Sequence, residues 1–159
     1  MAEVRLRAMS AHEYDTWYNW AVEDYAEAHI ASGEWAPEDA TDLSRQQFAA
    51  LLPSGPSTPA HHLFTVADAG TDEAVGVIWF AERRDTGVPQ AFIYDIVIWP
   101  QHRGMGHGEL AMLAIEPEAR ALGLQRIGLH VFGHNGTAIR LYERTGYKIT
   151  NLLMAKDLA

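Results

Sequence analysis

The stretch FIYDIVIWPQHRGMGHG, residues 92–108, decides how this chain folds. Its first seven residues combine Ile, Val and aromatic side chains, a composition typical of a buried central strand. A short turn follows, and glycines at 104, 106 and 108 then open a helix. A strand, a glycine-rich turn and a helix N-terminus together favour anion binding, because the free N–H groups and the helix dipole hold phosphate oxygens.

Two better-known phosphate-binding motifs do not match this turn. A P-loop requires Gly-Lys-Ser/Thr, and a dinucleotide-binding fingerprint requires glycine where Glu109 stands. For the glycine triplet by itself, a strand-turn-helix unit whose glycines serve only close packing remains the alternative.

The residues before this stretch predict strands and helices in mixed order. Ser10 and Glu13 form a capping box at the start of a long helix, and Pro37 suits the first turn of a second helix. Alternating apolar residues and turn-forming residues predict the strands. The predicted elements are a strand at 4–7, helices at 10–32 and 37–52, and a hairpin of strands at 63–67 and 74–80.

The residues after it continue the mixed order. A helix is predicted from Gly104 to Leu122 with Gly123 as its C-terminal cap, followed by a strand from Arg126 to Phe132. A further helix covers 135–145, and Tyr147 to Ala155 is predicted to form a last strand or strand pair.

Composition limits the class of protein. The 159 residues suffice for one domain, and the absence of cysteine excludes disulfides, cysteine nucleophiles and thiolate metal sites. The net charge of -9 argues against nucleic acid and is compatible with a cationic partner. No apolar run is long enough for a bilayer and the first residues lack a secretory stretch, so we expect a cytoplasmic protein without membrane association. The eight histidines lack metal-ligand spacing, and no metal is predicted.

Two motifs resemble one known family. Gln101-x-x-Gly104-x-Gly106, after a strand and Trp99-Pro100, resembles the pyrophosphate-binding motif of the GNAT superfamily of acyl-CoA-dependent N-acetyltransferases. The segment LHVFGHNGTAIRLYERTGY, residues 129–147, resembles that family's later segment of a strand, Asn, Ala, Leu-Tyr-Glu and Gly-aromatic. The resemblance covers about 92–148, while the earlier residues match only in element order and hydrophobic pattern.

The resemblance implies a fold and a cofactor. The implied α+β fold has a central, mostly antiparallel, twisted sheet of about six to seven strands, flanked by about four helices. The sheet is splayed between the strands that contain Ile96 and Leu129, and acetyl-CoA lies in the splay. We expect one domain over 1–159, with acceptor-side helices at about 10–52 and an acetyl-CoA-binding core at about 91–148.

The resemblance also implies site residues. Backbone groups of the strand pair with the acetyl carbonyl and the pantetheine arm, the amides of the glycine-rich turn hold the pyrophosphate, and the Asn135 side chain contacts the pantetheine. The implied cofactor-binding residues are Ile96, Val97, Ile98, Arg103, Gly104, Met105, Gly106, His107, Gly108, Asn135, Ala138 and Tyr142.

The resemblance implies a general acid but leaves several candidates for the general base. Tyr142 matches the family tyrosine near the CoA sulfur and is the candidate acid, with a role as a packing residue as the alternative. Val97 stands where many members carry a glutamate base, and Asp95 shares its face of the strand, so Asp95 is the first candidate base. Glu23 and Glu27, four apart on the first helix, are alternative groups for the acceptor amine. Deprotonation by solvent remains a further alternative.

These observations favour one function and leave two others open. The favoured function is N-acetylation of a primary amine by direct attack in a ternary complex, with a small-molecule amine favoured over a peptide amine. The departure at Val97 keeps open a catalytically idle acyl-CoA-binding or regulatory domain, and an interaction module without binding or turnover is the third reading. A homodimer is compatible with the resemblance. No motif in the sequence identifies the acceptor amine.

Overall fold

The computed structural model describes residues 2–85 and 87–159. Within them the chain forms five strands and four α-helices. The strands are β1 (Val4–Ala8), β2 (His61–Asp68), β3 (Ala74–Arg83), β4 (Gln90–Ile98) and β5 (Arg126–Leu129). The helices are α1 (Ala11–Ala31), α2 (Pro37–Leu51), α3 (His107–Ala121) and α4 (Gly136–Arg144).

The strands form one sheet in the order β1-β2-β3-β4-β5. The first four are antiparallel neighbours, and β5 runs parallel to β4. The β4–β5 register pairs Gln90 with Arg126 and ends at Ile93 with Leu129, while β4 continues to Ile98. The predicted mixed, mostly antiparallel sheet with four helices is confirmed, and β4 and β5 stop pairing before Ile96, where the splay was expected.

The sheet has five strands within the described residues, fewer than the six to seven expected. The predicted last strand at Tyr147 to Ala155 is not formed, since residues 147–159 carry no regular structure. Tyr147 packs on the core, but Ile149, Leu152, Leu153 and Met154 are 66–91% exposed, so these four apolar side chains gain little from burial. A strand is stable only with a paired neighbour and a covered face, and the apolar pattern of a short segment supplies neither.

Helix α3 begins three residues later than predicted. Gly104 and Gly106 have φ of 78° and 84°, in the left-handed region that a right-handed helix cannot include. Gly106 is therefore the N-cap of α3, and the glycine-rich residues form the turn that enters the helix.

The helices cover both faces of the sheet. On one face α1 and α2 pack through Trp17, Ala21 and Phe48 against Val77 and Trp79. On the other, the buried side of α3 packs on a second apolar cluster with α4 at its edge, through residues that include Ile78, Phe80, Ile93, Met112, Ile115 and Tyr142. The capping box predicted for α1 is present: the Glu13 N–H donates to Ser10 Oγ at 3.1 Å and the Ser10 N–H to Glu13 Oε1 at 3.0 Å.

None of the helices in the described part of the chain combines the length and apolar character needed to cross a bilayer.

Candidate active site

A bulge in β4 places the candidate base. Trp79 of β3 pairs with Asp95, but the next residue, Phe80, pairs with Ile93, so Tyr94 is an extra residue in β4. Regular alternation would send Tyr94 and Asp95 to opposite faces. Here both face α1, since Tyr94 stacks on Trp79 at 4.8 Å and Asp95 accepts a hydrogen bond from Trp17. Bulges commonly re-aim side chains at functional sites, and this one puts a phenol and a carboxylate side by side.

Asp95 is largely enclosed and has few polar partners. The indole N–H of Trp17 donates to its Oδ2 at 2.9 Å, and Trp17 itself is fully buried. Burial raises the pKa of Asp95 to about 7, and the charge of Asp24 acts in the same direction, while the Trp17 hydrogen bond opposes the rise. A carboxyl group with a pKa near neutrality is suited to accept and release protons.

The acidic residues of α1 differ in their relation to Asp95. Glu23 and Glu27, the predicted candidates for amine binding, are exposed on the helix surface. Asp24, which lies between them and also reaches solvent, is the residue whose charge acts on Asp95. Partial desolvation, followed by the charge of Glu27, raises the pKa of Asp24 itself. Asp24 follows Trp17 by seven residues, which is two helical turns. That spacing puts both residues on the same face of α1, and it is the signal in the sequence that could have identified Asp24.

The turn before α3 fits an anionic group. The N–H groups of His107, Gly108 and Glu109 have no acceptor within the helix, because α3 begins at His107 and its N-cap Gly106 offers no side chain. A Cβ placed on Gly104 or Gly106 would meet no atom within 4 Å, so both glycines border open space. These residues therefore fit the pyrophosphate of an acyl-CoA.

Two side chains of the turn are already engaged by the protein. The Arg103 Nε donates to the Ile98 carbonyl at 2.8 Å and holds the turn against the end of β4. The His107 ring is buried, with Nδ1 3.0 Å from the His102 carbonyl oxygen, so its side chain is engaged by the protein. The contribution of His107 to a ligand is consequently limited to its backbone.

The backbone of β4 divides between its two neighbours. The Trp99 N–H donates to the Val75 carbonyl at 2.9 Å, so by alternation Val97 also directs its N–H and C=O toward β3. A Cβ on Gly76 would lie 2.1 Å from the Val97 oxygen, which explains the glycine and agrees with that direction. The backbone groups of Ile96 and the Ile98 N–H face the splay, while the Ile98 carbonyl accepts from Arg103. The backbone groups of Val97, which the resemblance grouped with them, are used by the sheet.

The start of α4 lies beyond the end of β5. The Asn135 Oδ1 accepts the Ala138 N–H at 3.2 Å and caps α4, which leaves the Asn135 amide NH2 as a donor. Seven residues later, Tyr142 is partly buried, and burial together with the charge of Asp95 raises its pKa to about 12. The charge of one candidate catalytic side chain, Asp95, therefore acts on the other, Tyr142.

Metal ligation has no support in residues 2–85 and 87–159, where no group of three or more His, Asp or Glu side chains is arranged to hold an ion.

The fold and site define a known class of enzyme. The chain belongs to the Acetyltransferase (GNAT) family, whose model matches residues 14–147. The resemblance stated from the sequence is thereby confirmed, and the protein is an acyltransferase.

Two curated relatives are similar in sequence to this chain over nearly its whole length. The chain is 37% identical to YycN of Bacillus subtilis strain 168, described as an uncharacterized N-acetyltransferase, over 98% of this chain and 99% of that protein. The crystal structure of YycN matches with a TM-score of 0.92. YdgE of the same organism, also described as an uncharacterized N-acetyltransferase, is 33% identical over 96% of this chain and 97% of its own.

A more distant structure shows the fold alone. The aminoglycoside N-acetyltransferase AAC(6')-Iy, solved in complex with CoA, matches with a TM-score of 0.64 at 13% identity, over 99% of this chain and 96% of that one.

Proposed function

We propose that the protein transfers the acetyl group of acetyl-CoA to a primary amine by direct attack in a ternary complex. The observation that carries this proposal is the position of Asp95, which the β4 bulge directs toward α1 beside the point where β4 and β5 separate. A partly buried carboxyl group with a pKa of about 7 is suited to take a proton from an amine at neutral pH.

The acetyl-CoA site is proposed along the splay. The amides of the turn from Arg103 to Gly108 would hold the pyrophosphate, and the backbone groups of Ile96 and the Ile98 N–H would pair with the pantetheine arm and the acetyl carbonyl. The Asn135 amide and the start of α4 at Ala138 would border the same arm. When bound, acetyl-CoA supplies an activated acetyl group and a thiol leaving group.

The residues of this chain divide the proton transfers between them. Asp95 accepts the proton that the amine loses as its nitrogen bonds to the acetyl carbon. The Tyr142 hydroxyl, which like any phenol with a pKa of 10 or above is protonated at neutral pH, donates toward the sulfur as the carbon–sulfur bond breaks. Direct transfer is consistent with the absence of cysteine, since no thiol is present to carry the acetyl group.

The acceptor is proposed to be uncharged or cationic. Asp24, Glu23 and Glu27 line the outer part of α1, and the protein carries a net charge of -9. Acidic side chains attract a cationic amine and repel an anionic one. A higher rate on an anionic acceptor than on its cationic analogue would contradict this part of the proposal.

An acetylation screen by mass spectrometry tests the activity. Acetyl-CoA is incubated with the protein and with aminoglycosides, polyamines, amino acids, simple primary amines and short peptides. We expect an acetylated product from at least one class and CoA released in equal amount. Binding of acetyl-CoA without any product would favour the idle acyl-CoA-binding domain, and the absence of binding would favour an interaction module.

Substitution of the turn glycines is expected to weaken acetyl-CoA binding. Gly104→Val or Gly106→Val places a branched Cβ in the open space beside the free amides and should lower affinity by about 10- to 100-fold, a few kcal/mol at most. Isothermal titration calorimetry measures the change, and circular dichroism verifies the fold.

Gly123→Val is the matched control. Gly123 has a φ of 77° and open space around it, but it lies at the other end of α3. The control therefore carries the same backbone strain and should keep wild-type affinity. Equal losses in all three variants would mean that the effect comes from strain rather than from the pyrophosphate site.

A further inference from the structure

An aromatic cavity opens on the face of the sheet that α1 and α2 cover. Its volume is about 340 Å³, and Tyr25, Phe48, Ala50, Leu51, Trp79 and Tyr94 line it, with Gln47 completing the wall. Ligand cavities in proteins begin at about 300 Å³, so the volume suits one small organic group. The cofactor site proposed above lies at the splay and does not use this space.

The walls of the cavity are flat and apolar. Trp79 and Tyr94 stack with an interplanar angle of 24°, and Phe48 packs edge-on to Tyr25 at 5.7 Å and tilted to Trp79 at 5.8 Å. Planar rings of this kind favour another flat apolar group through offset or edge contacts.

Among the described residues, those that line the cavity are all of types that carry no charge at neutral pH. Arg83, which donates to the Tyr94 hydroxyl at 2.8 Å, lies over the Phe92 ring at 3.6 Å, so its charge is engaged. A polyhydroxylated or multiply charged group placed here would lose hydration and find few partners, since the polar groups of the lining are the Gln47 amide and the hydroxyls of Tyr25 and Tyr94.

The cavity adjoins the candidate base. Trp79 is the residue opposite Asp95 in the sheet, and Tyr94 directly precedes Asp95 in the bulge. Trp17, which donates to Asp95, packs edge-on to Trp79 at 5.5 Å and tilted to Phe48 at 6.1 Å. A molecule with its amine nitrogen at Asp95 would thus direct the rest of its structure along these rings.

We infer that the acceptor is a primary amine with a flat apolar substituent, such as an arylalkylamine, and that this cavity binds the substituent. This inference rests on the proposed function and adds the class of acceptor. The cavity selects the acceptor, while Asp24 and Asp95 interact with its amino group.

A series of amines of increasing apolar size tests the inference. We expect kcat/KM to rise from ethylamine through butylamine to 2-phenylethylamine, by at least about 100-fold overall, since each added methylene in an apolar pocket gives about 10-fold or more. Spermidine, a polyamine with a similar number of non-hydrogen atoms, should react more slowly than 2-phenylethylamine. A kcat/KM that does not change across the series, or that is highest for ethylamine or spermidine, would overturn the inference.

Two adjacent alanines of α2 provide the variant and its control. Ala50→Phe places a ring at the cavity and is expected to reduce the preference for 2-phenylethylamine over ethylamine by about 10-fold or more, mainly through KM. Ala49→Phe adds the same ring at an exposed position of the same helix outside the lining, and should leave the preference unchanged. An unchanged preference in Ala50→Phe would contradict the assignment.

Calorimetry separates failure of the inference from failure of the proposed function. If amines are acetylated without regard to apolar size, the cavity assignment fails and the proposed function stands. If no amine is acetylated, the proposed function fails. Calorimetric binding of 2-phenylethylamine to the CoA-saturated protein then tests independently whether the cavity binds a flat apolar group. Binding that Ala50→Phe weakens and Ala49→Phe preserves would support the cavity, and no binding would overturn it.

Discussion

Replacement of Asp95 by asparagine is expected to reduce acetyl transfer by about 10²- to 10⁴-fold, the usual contribution of a positioned general base. The amide side chain would keep the shape and accept the Trp17 hydrogen bond, but it cannot take a proton. The measurement is kcat/KM for the best amine at pH 7.5. A variant that retains the wild-type rate while chemistry limits turnover would exclude Asp95 as the base and favour solvent.

The same variant is expected to be more stable than the wild type at high pH. The pKa of Asp95 is raised from its ordinary 3.8 to about 7, so the folded state binds more protons than the unfolded state between these values. The associated stability is present below about pH 3.8 and is lost as the pH rises through 7. At pH 8 the ionised carboxylate costs up to about 4 kcal/mol, and Asp95→Asn should raise the melting temperature by at least about 5 °C.

Trp17→Phe serves as the control for the pH dependence. This variant keeps the carboxylate and most of the ring packing but removes the indole N–H that stabilises the ionised form. The pKa of Asp95 should rise further, and the acidic limb of the kcat/KM profile, expected near pH 7 in the wild type, should move to higher pH. If Trp17 has a packing role alone, its replacement would lower stability and leave the pH of the acidic kcat/KM limb unchanged.

Tyr142→Phe is expected to lower kcat by about 10- to 1000-fold with little change in acetyl-CoA affinity. The variant retains the ring and removes only the donor. Its hydrogen bond matters most as charge develops on the sulfur, so the loss appears in kcat rather than in KM for acetyl-CoA. Burial and the charge of Asp95 raise the pKa of Tyr142 to about 12, which keeps the donor protonated throughout the working range.

The choice of acyl donor provides the control for Tyr142. An acetyl donor with a better leaving thiol needs less assistance, so the difference between Tyr142→Phe and wild type should shrink with such a donor. A constant difference across donors would assign Tyr142 to packing, with water as the proton source.

The sequence alone predicts the local geometry of the candidate site because that geometry depends on local rules. A buried strand followed by glycines 104, 106 and 108 predicts the open helix N-terminus, and two-residue alternation puts Asp95 on the face of Val97. Both features need only chain stereochemistry, and the structure contains both.

Features that depend on distant partners escaped prediction. The bulge at Tyr94 depends on how β4 pairs with β3, where Trp79 is opposite Asp95 and Phe80 is opposite Ile93, and no local pattern marks it. The same pairing creates the aromatic cavity, whose walls come from four separate elements. The expected strand after Tyr147 failed for the related reason that strand formation needs a neighbouring edge as well as an apolar pattern.

Direct transfer within a ternary complex is tested most directly by a single turnover followed by mass spectrometry. Protein in excess over [¹³C]acetyl-CoA is mixed with 2-phenylethylamine, quenched at successive times and analysed for labelled amide and for intact protein mass. We predict that labelled amide forms as acetyl-CoA disappears, while the protein mass never changes. A transient gain of one acetyl group on the protein, or loss of acetyl-CoA to acetate without amide, would contradict the account.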